Sequence, residues 1–124
     1  MRPAVKPIKS VVLCVEDNES HLRLRRAVLE KNGYSVLAAT SASEALQMLR
    51  TSSVLLVISD HMLAGLTGTE LAKEIRKIRP HVPIMLYSGI VPEHLDNVDC
   101  FLSKAEPVEK FLSMVRDLVS RGLG

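Results

Sequence analysis

The stretch VVLCVEDNES, residues 11–20, decides the fold prediction, because a run of apolar residues ends in two adjacent acids. Val11 to Val15 is continuously apolar, which is typical of a strand covered on both faces of a parallel sheet. Glu16 and Asp17 follow this run directly. Ligands of open α/β sheets bind beyond the carboxyl ends of the strands, so the position of these two acids indicates a binding site.

Four further apolar runs follow the first one along the chain. They predict strands at Val36 to Ala39, Val54 to Ile58, Ile84 to Tyr87 and Cys100 to Ser103. Between these runs, apolar residues recur at helical spacing, which predicts amphipathic helices. The predicted first helix extends from about Glu19 to Asn32 and ends before Gly33, a residue type favoured just past a helix terminus.

The other predicted helices carry recognisable start signals. Ser41 with Glu44, and Thr67 with Glu70, have the spacing of a capping box, and Pro107 suits the first position of the last helix. Strands and helices therefore alternate along the whole chain. This alternation predicts a doubly wound α/β domain with a five-stranded parallel sheet in the order 2-1-3-4-5.

The crossover between the fourth and fifth strands is unusually short. Only the eleven residues Gly89 to Asp99 join these strands, whereas the crossover Thr40 to Ser53 has fourteen. A crossover that includes its helix needs at least about 10–12 residues. We therefore expect the fourth helix to be shortened, to one or two turns around Pro92 to Asn97, or to be missing.

The composition is that of one globular domain over residues 1–124, with residues 1–9 as a flexible basic tail. Apolar residues make up 47% and aromatic residues 3%, so the core must be aliphatic. A net charge of +2 argues against direct binding to nucleic acid or to a membrane surface. No apolar segment follows the basic residues 2–9, so we expect no signal peptide, and no apolar run reaches membrane length. Cys14 and Cys100 are expected to be reduced thiols, which favours a cytoplasmic location.

Polar residues also follow three other predicted strands. Asp60 follows the third strand, Ser88 the fourth and Lys104 the fifth. The predicted strand order brings these ends together with Glu16 and Asp17. Three carboxylates at one place repel each other, at about 4 kcal/mol for a pair 4 Å apart near a protein surface, so cations are expected beside them. Lys104 supplies one charge, and an all-oxygen ligand set suits Mg²⁺ or Mn²⁺.

A cluster of this kind can carry out phosphoryl transfer. Because Mg²⁺ takes only one or two carboxylates, one carboxylate remains available to attack a phosphoryl group and form an acyl phosphate. Asp60 is our candidate because it lies alone at the centre of the predicted sheet. The metal and Lys104 would neutralise the phosphoryl oxygens, and the Ser88 hydroxyl would hydrogen-bond to one of them.

These residues resemble the receiver domain of bacterial two-component response regulators, which has the flavodoxin-like, CheY-like fold. The resemblance extends from about Val11 to Val119. It rests on five ordered features: the acid pair in VEDN, Asp60 in ISDHMLAGLTGTEL, Ser88 in YSG, Phe101, and Lys104 three residues later. Each feature alone is weak, but all five in this order make a specific signal.

The resemblance implies roles for these positions. Asp60 would accept the phosphoryl group from a sensor histidine kinase or a phosphotransfer protein, and Ser88 and Lys104 would bind it. Glu16, Asp17 and Asp60 would hold Mg²⁺ together with the Met62 backbone carbonyl. Phe101 would be the switch aromatic, turning inward when Ser88 moves toward the phosphate. The chain would catalyse only its own phosphorylation and dephosphorylation, and would signal to a downstream protein or a fused output domain.

Positions that flank the site bear on dephosphorylation. In the family, the residues two after the phosphoacceptor and two after the Ser/Thr tune the loss of phosphate. Here they are Met62 and Ile90, and neither can orient an attacking water, so we expect slow self-dephosphorylation. We expect His61 to be a solvated loop histidine.

Three other functions compete with this interpretation. A degenerate receiver would act as an interaction module without phosphorylation, as the short fourth crossover suggests. A metal-dependent phosphohydrolase with an aspartyl nucleophile commonly has a second acid two residues later, where this chain has Met62. A flavodoxin-like cofactor-binding protein would need a glycine-rich phosphate loop after the first strand, which the sequence lacks.

Overall fold

The computed structural model describes residues 11–123, which form seven strands and four helices. The strands are β1 (Val11–Val15), β2 (Ser35–Ala39), β3 (Leu56–Ser59), β4 (Met62–Leu63), β5 (Leu66–Thr67), β6 (Ile84–Ser88) and β7 (Cys100–Ser103). The helices are α1 (Glu19–Lys31), α2 (Ala42–Thr51), α3 (Gly68–Ile78) and α4 (Val108–Leu123). The predicted tail, residues 1–9, lies outside the described residues.

The central sheet has five parallel strands in the order β2-β1-β3-β6-β7. Numbered by their place in this sheet, the strands run 2-1-3-4-5, so the predicted doubly wound topology is confirmed. Strand β1 lies between β2 and β3, with Cys14 opposite Ala38 on one side and Ile58 on the other. The order reverses at β1, which leaves the crevice between β1 and β3 as the expected place for a ligand.

Each face of the sheet is covered by a pair of helices. Alternate residues of one strand enter different layers, since Cys14 packs toward α1 and α4 whereas Val15 packs toward α2 and α3. The first layer contains the helix residues Leu22, Leu29, Phe111, Val115, Leu118 and Val119. The second contains Ala45, Leu49, Leu71, Ala72 and Ile75. The core is therefore mainly aliphatic, as the composition predicted.

The two predicted capping boxes have different outcomes. At α3, the Thr67 hydroxyl accepts from the Glu70 N–H and the Glu70 carboxylate accepts from the Thr67 N–H, which confirms the motif. At α2, the Ser41 hydroxyl accepts from the Glu44 N–H, but the Glu44 carboxylate bonds instead to the backbone and hydroxyl of Thr40, at 2.8 and 2.6 Å. The second half of this prediction is wrong, because the N–H and the hydroxyl of Thr40 both donate to the same Glu44 oxygen.

The fourth crossover contains no helix. The chain from 89 to 99 passes from β6 to β7 as turns and bends. Of the two predicted alternatives, a shortened or a missing fourth helix, the structure has the second. A polar anchor fixes the end of this segment: the Asp99 carboxylate accepts from the Ile84 N–H and from Arg76 Nη2, each at 2.7 Å. The crossover is therefore held by hydrogen bonds from β6 and α3 rather than by a helix of its own.

A small hairpin between β3 and α3 was not predicted. Strands β4 and β5 pair antiparallel, with Met62 opposite Thr67, and Gly65 turns between them at a φ of +76°. Glycine adopts this left-handed conformation without strain, so it suits the turn. The hairpin leads the chain from Asp60 to the start of α3, and Met62 begins it two residues after Asp60.

Gly68 is expected to tolerate no side chain, because α3 begins directly against the chain at Asp60. A Cβ at this position would lie 2.6 Å from the Asp60 carbonyl oxygen and 2.7 Å from Leu86 Cδ2. We predict that Gly68→Ala destabilises the fold by about 1–3 kcal/mol, because the overpacked backbone cannot yield freely. Urea unfolding would measure the change. Gly89→Ala is the matched control, since its Cβ would meet nothing within 4 Å, and equal stability of the two variants would contradict the prediction.

None of the helices in the described part of the chain is long and apolar enough to span a membrane.

Candidate functional site

Backbone hydrogen bonds just past the strand ends assemble the site. They join the Glu16 N–H to the Ala39 carbonyl at 3.0 Å, the Asp60 N–H to the Val15 carbonyl at 3.0 Å, and the Lys104 N–H to the Ser88 carbonyl at 2.9 Å. Each bond extends the ladder between two neighbouring parallel strands by one residue. Residues that are far apart in sequence are thereby fixed at one edge of the sheet, as predicted from the positions of the strand ends.

Lys104 lies between the two buried carboxylates of this edge. Its Nζ donates to Glu16 Oε2 at 3.1 Å and to Asp60 Oδ2 at 3.0 Å. Glu16 is only 1% exposed and Asp60 9%. The lysine therefore offsets the repulsion between two acids that are largely removed from water, and the predicted grouping of these three residues is present.

Asp60 is held as an ionised carboxylate. Burial acts to raise the pKa of its carboxyl group, but the neighbouring side chains outweigh burial and lower the pKa from 3.8 to about 2. The main neighbour is Lys104, which donates a hydrogen bond to Asp60 Oδ2 and also acts through its charge, and the nearby Ser88 hydroxyl acts in the same direction. A carboxylate with this pKa stays anionic at neutral pH and can serve as a nucleophile.

His61 is buried at the site and is not the solvated loop residue that we predicted. Its side chain is 8% exposed, and its backbone N–H donates to Asp60 Oδ1 at 2.7 Å. The prediction failed because the hairpin β4–β5 and the start of α3 fold over this residue: the Gly68 N–H donates to the His61 carbonyl at 2.6 Å. His61 therefore orients Asp60 through its backbone.

The other predicted site residues lie around this centre. Ser88 is buried at the end of β6, and its hydroxyl accepts from the Ile90 N–H at 3.1 Å. The Asp17 side chain is exposed, next to the buried Glu16. Met62 is 51% exposed in the hairpin, and Phe101 is half-buried in β7.

The oxygen donors at this edge suit a hard cation, although no three acidic side chains lie close together there. Among residues 11–123, no group of three or more His, Cys, Asp or Glu side chains lies close enough together to hold a metal ion. Each oxygen of Asp60 accepts one hydrogen bond and so retains a lone pair. Asp17 is open to solvent. Carboxylate and carbonyl oxygens of this kind, with room for water, fit Mg²⁺ or Mn²⁺.

A buried arginine, which the sequence analysis missed, forms the other side of the site. Arg25 of α1 is 6% exposed, and its Nη1 donates to Glu16 Oε2 at 3.4 Å. Leu22, Arg25 and Leu29 are spaced by three and four residues and are the buried residues of this helix. A single charge on an otherwise apolar helical stripe was the signal that could have revealed this ion pair.

An apolar groove of about 500 Å³ lies beside the site. Arg25 and Lys104 both contribute to its lining, together with Leu24, Tyr87 and Phe111. The Tyr87 and Phe111 rings lie 4.6 Å apart between centroids, and the Arg25 guanidinium lies 4.8 Å from the centre of the Tyr87 ring. The groove and the site therefore share two cationic side chains.

A parallel sheet with an acid, a lysine and a hydroxyl at its carboxyl edge defines a receiver-type α/β domain, and the comparisons with known proteins agree. Residues 12–115 match the response regulator receiver domain family. The transcriptional regulatory protein GlrR of Escherichia coli is 35% identical over 105 residues, which cover 80% of this chain and 23% of GlrR. The uncharacterized transcriptional regulatory protein YkoG of Bacillus subtilis is 30% identical, over 87% of this chain and 50% of YkoG.

Solved structures give the same result. The response regulator TrrA of Thermotoga maritima, crystallised in complex with Mg²⁺-BeF, is 27% identical with a TM-score of 0.82, over 90% of this chain and 99% of TrrA. The chain belongs to the response regulator receiver domain family. It spans half or less of the length of GlrR and YkoG.

Proposed function

We propose that this chain is a phosphoacceptor of a bacterial two-component system and that Asp60 receives the phosphoryl group from a sensor histidine kinase or a phosphotransfer protein. The observation that carries the proposal is the Lys104 ammonium, which lies 3.0 Å from Asp60 Oδ2 and 3.1 Å from Glu16 Oε2. A lysine in this position neutralises charge where a phosphoryl group would arrive.

The proposed reaction uses the residues of the site as follows. An Asp60 oxygen attacks phosphorus, the P–N bond to the donor histidine breaks, and its electron pair returns to the imidazole. The product is an acyl phosphate on Asp60. Lys104 stabilises the charge on the phosphoryl oxygens, and the Ser88 hydroxyl donates a hydrogen bond to one of them. The domain therefore catalyses only its own phosphorylation and dephosphorylation.

Mg²⁺ or Mn²⁺ is the proposed cofactor. The candidate ligands are the carboxylates of Glu16, Asp17 and Asp60 and the backbone carbonyl of Met62. When bound, the cation would supply two positive charges against the phosphoryl oxygens. The oxygen-only donor set and the exposure of Asp17 support this assignment.

Ser88 and Phe101 are the proposed switch residues. Reversing a 1:99 equilibrium between the active and inactive conformations requires about 5.5 kcal/mol of stabilisation of one conformation over the other. A phosphoryl group can add about one to three charge-assisted hydrogen bonds, worth about 1.5–3 kcal/mol each. Phe101 lies opposite Leu86 on β6, two residues before Ser88, so movement of Ser88 can reach it through one pair of strands.

The proposed output is contact with a downstream protein or with a fused output domain, in the cytoplasm and without direct contact to nucleic acid or membrane. GlrR and YkoG are both transcriptional regulatory proteins of greater length, which supports an output domain elsewhere in a longer protein. Because the fourth crossover lacks a helix, the surface beside β7 cannot include the fourth helix that contributes to the usual output surface of the family.

A degenerate receiver is the second candidate function. The missing helix and the absence of a three-acid cluster among residues 11–123 favour it. Beryllofluoride with Mg²⁺ separates the two, because this mimic binds an aspartate only where the cation and lysine can stabilise it. We expect amide NMR signals of Asp60, Ser88 and Lys104 to shift and saturate. Spectra that stay unchanged would favour the interaction module.

Slow self-dephosphorylation is expected from the apolar residues beside the site. Met62 and Ile90 are both exposed, and neither side chain has the polar group needed to orient an attacking water. We predict that Met62→Asn, which introduces an amide at this position, accelerates decay of the phosphorylated domain. The decay would be followed by electrophoresis on a phosphate-binding gel, with Met62→Leu as the matched apolar control. A decay rate in Met62→Asn equal to that of the control would refute this prediction.

A further inference from the structure

Arg25 is a cation enclosed within the protein at the edge of the proposed phosphorylation site. It projects from the apolar stripe of α1 and is 6% exposed. Its guanidinium contacts Glu16 at 3.4 Å and lies over the Tyr87 ring at 4.8 Å. An arginine held on one side by a carboxylate and on the other by an aromatic face has a fixed position.

Glu16 is the anion that Arg25 neutralises, and its carboxylate is almost fully occupied. Oε2 accepts from Arg25 Nη1 and from Lys104 Nζ, while Oε1 accepts from the Asn18 N–H at 3.2 Å. Lys104 is shared with Asp60, whereas Arg25 has no other carboxylate partner among the ion pairs of the described residues. His21 Nδ1 also lies 4.0 Å from Glu16 Oε1 but is charged only when protonated, so Arg25 is the permanent cation that pairs with Glu16 alone.

A divalent cation that approaches Glu16 would find the negative charge of this carboxylate already offset by Arg25 and Lys104. Charge interactions are strong here because Glu16 is 1% exposed and water screens it little. We propose that Arg25 competes with the divalent cation for Glu16, and that it thereby sets the metal affinity of the site. Arg25 is a positioning residue in this role, since it acts through Glu16. The inference rests on the proposed metal-dependent function.

Metal affinity in matched variants tests the inference. Titration calorimetry with MgCl₂ would compare wild type with Arg25→Leu, a substitution that suits the apolar surroundings of this stripe. We expect the dissociation constant to fall about tenfold, because one unit of negative charge on Glu16 is released a few ångströms from the site. Arg25→Lys, which keeps the charge, should restore most of the wild-type value.

Two controls make the result specific to Glu16. Arg26→Leu removes the same charge from the same helix, but Arg26 pairs with the exposed Glu30. The dissociation constant of this variant for Mg²⁺ should therefore equal that of wild type. In a Glu16→Gln background, adding Arg25→Leu should change nothing, because the group through which Arg25 acts is gone. An equal effect of Arg25→Leu with and without Glu16 would overturn the inference.

The remaining outcomes also decide the question. An unchanged or higher dissociation constant in Arg25→Leu overturns the inference while leaving the proposed function intact, because wild type still binds Mg²⁺. Absence of Mg²⁺ binding by folded wild type overturns both. Thermal unfolding monitored by circular dichroism would establish that each variant is folded, and Arg25→Gln, which keeps a hydrogen-bond donor, replaces Arg25→Leu if the latter does not fold.

Discussion

Asp60→Asn is expected to abolish phosphorylation entirely. The carboxylate of Asp60 is the proposed nucleophile, and its lowered pKa of about 2 keeps it ionised at neutral pH. An amide of the same shape has no anionic oxygen with which to form an acyl phosphate. We expect no phosphorylated species from a small phosphodonor with Mg²⁺, measured on a phosphate-binding gel, while circular dichroism shows a retained fold.

The matched control for this variant is Asp96→Asn. Asp96 lies in the fourth crossover and is largely exposed, and its one ion-pair partner among residues 11–123 is His94, at 3.4 Å. Its replacement removes the same charge without touching the site, so phosphorylation should proceed at the wild-type rate. Stoichiometric phosphorylation of Asp60→Asn would show that another residue is the acceptor.

Lys104→Met has the second-largest expected effect. Methionine keeps the unbranched shape of the side chain but removes the ammonium that donates to Asp60 and Glu16. Removing a preorganised charge-stabilising donor from a site of this kind slows the reaction by about 10²–10³-fold. We expect a loss of that size in the rate of phosphorylation, measured from the time course of the phosphorylated species.

Lysine at position 110 supplies the comparison for this variant. Lys110 is an exposed residue of α4 that pairs with Glu106 at 3.5 Å, so Lys110→Met removes the same group from the surface. Its rate should match that of wild type. If Lys104→Met were phosphorylated as fast as Lys110→Met, the lysine at the sheet edge would have no role in transfer.

The positions of the site residues along the sheet were predictable because they follow from strand periodicity and strand order. Asp60 and Lys104 each come directly after a strand, β3 and β7, and parallel strands place their carboxyl ends at one edge. The orientation of the adjacent acids follows the same rule in retrospect: neighbouring residues of an extended chain point in opposite directions, so Glu16 is buried while Asp17 is exposed.

Features that depend on local competition or on tertiary contacts were not predictable. Strands of two residues, such as β4 and β5, are too short to show a period, and Gly65 was the available sign of their turn. The partner of Glu44 depended on which donors of Thr40 reached it. Arg25 resembles a surface charge until its partners are known, because Glu16 precedes the helix outside the three- and four-residue helical spacing and Tyr87 comes from a distant strand.

The chemical identity of the phosphorylated residue tests the central claim most directly. Wild-type protein would be treated with a small phosphodonor and Mg²⁺, reduced with borohydride, digested and mapped by mass spectrometry. Borohydride converts an aspartyl phosphate to homoserine and leaves phosphoserine and phosphohistidine unreduced, which separates Asp60 from its neighbours Ser59 and His61. We predict homoserine at position 60. An unmodified Asp60, with phosphate at another residue or at none, would contradict it.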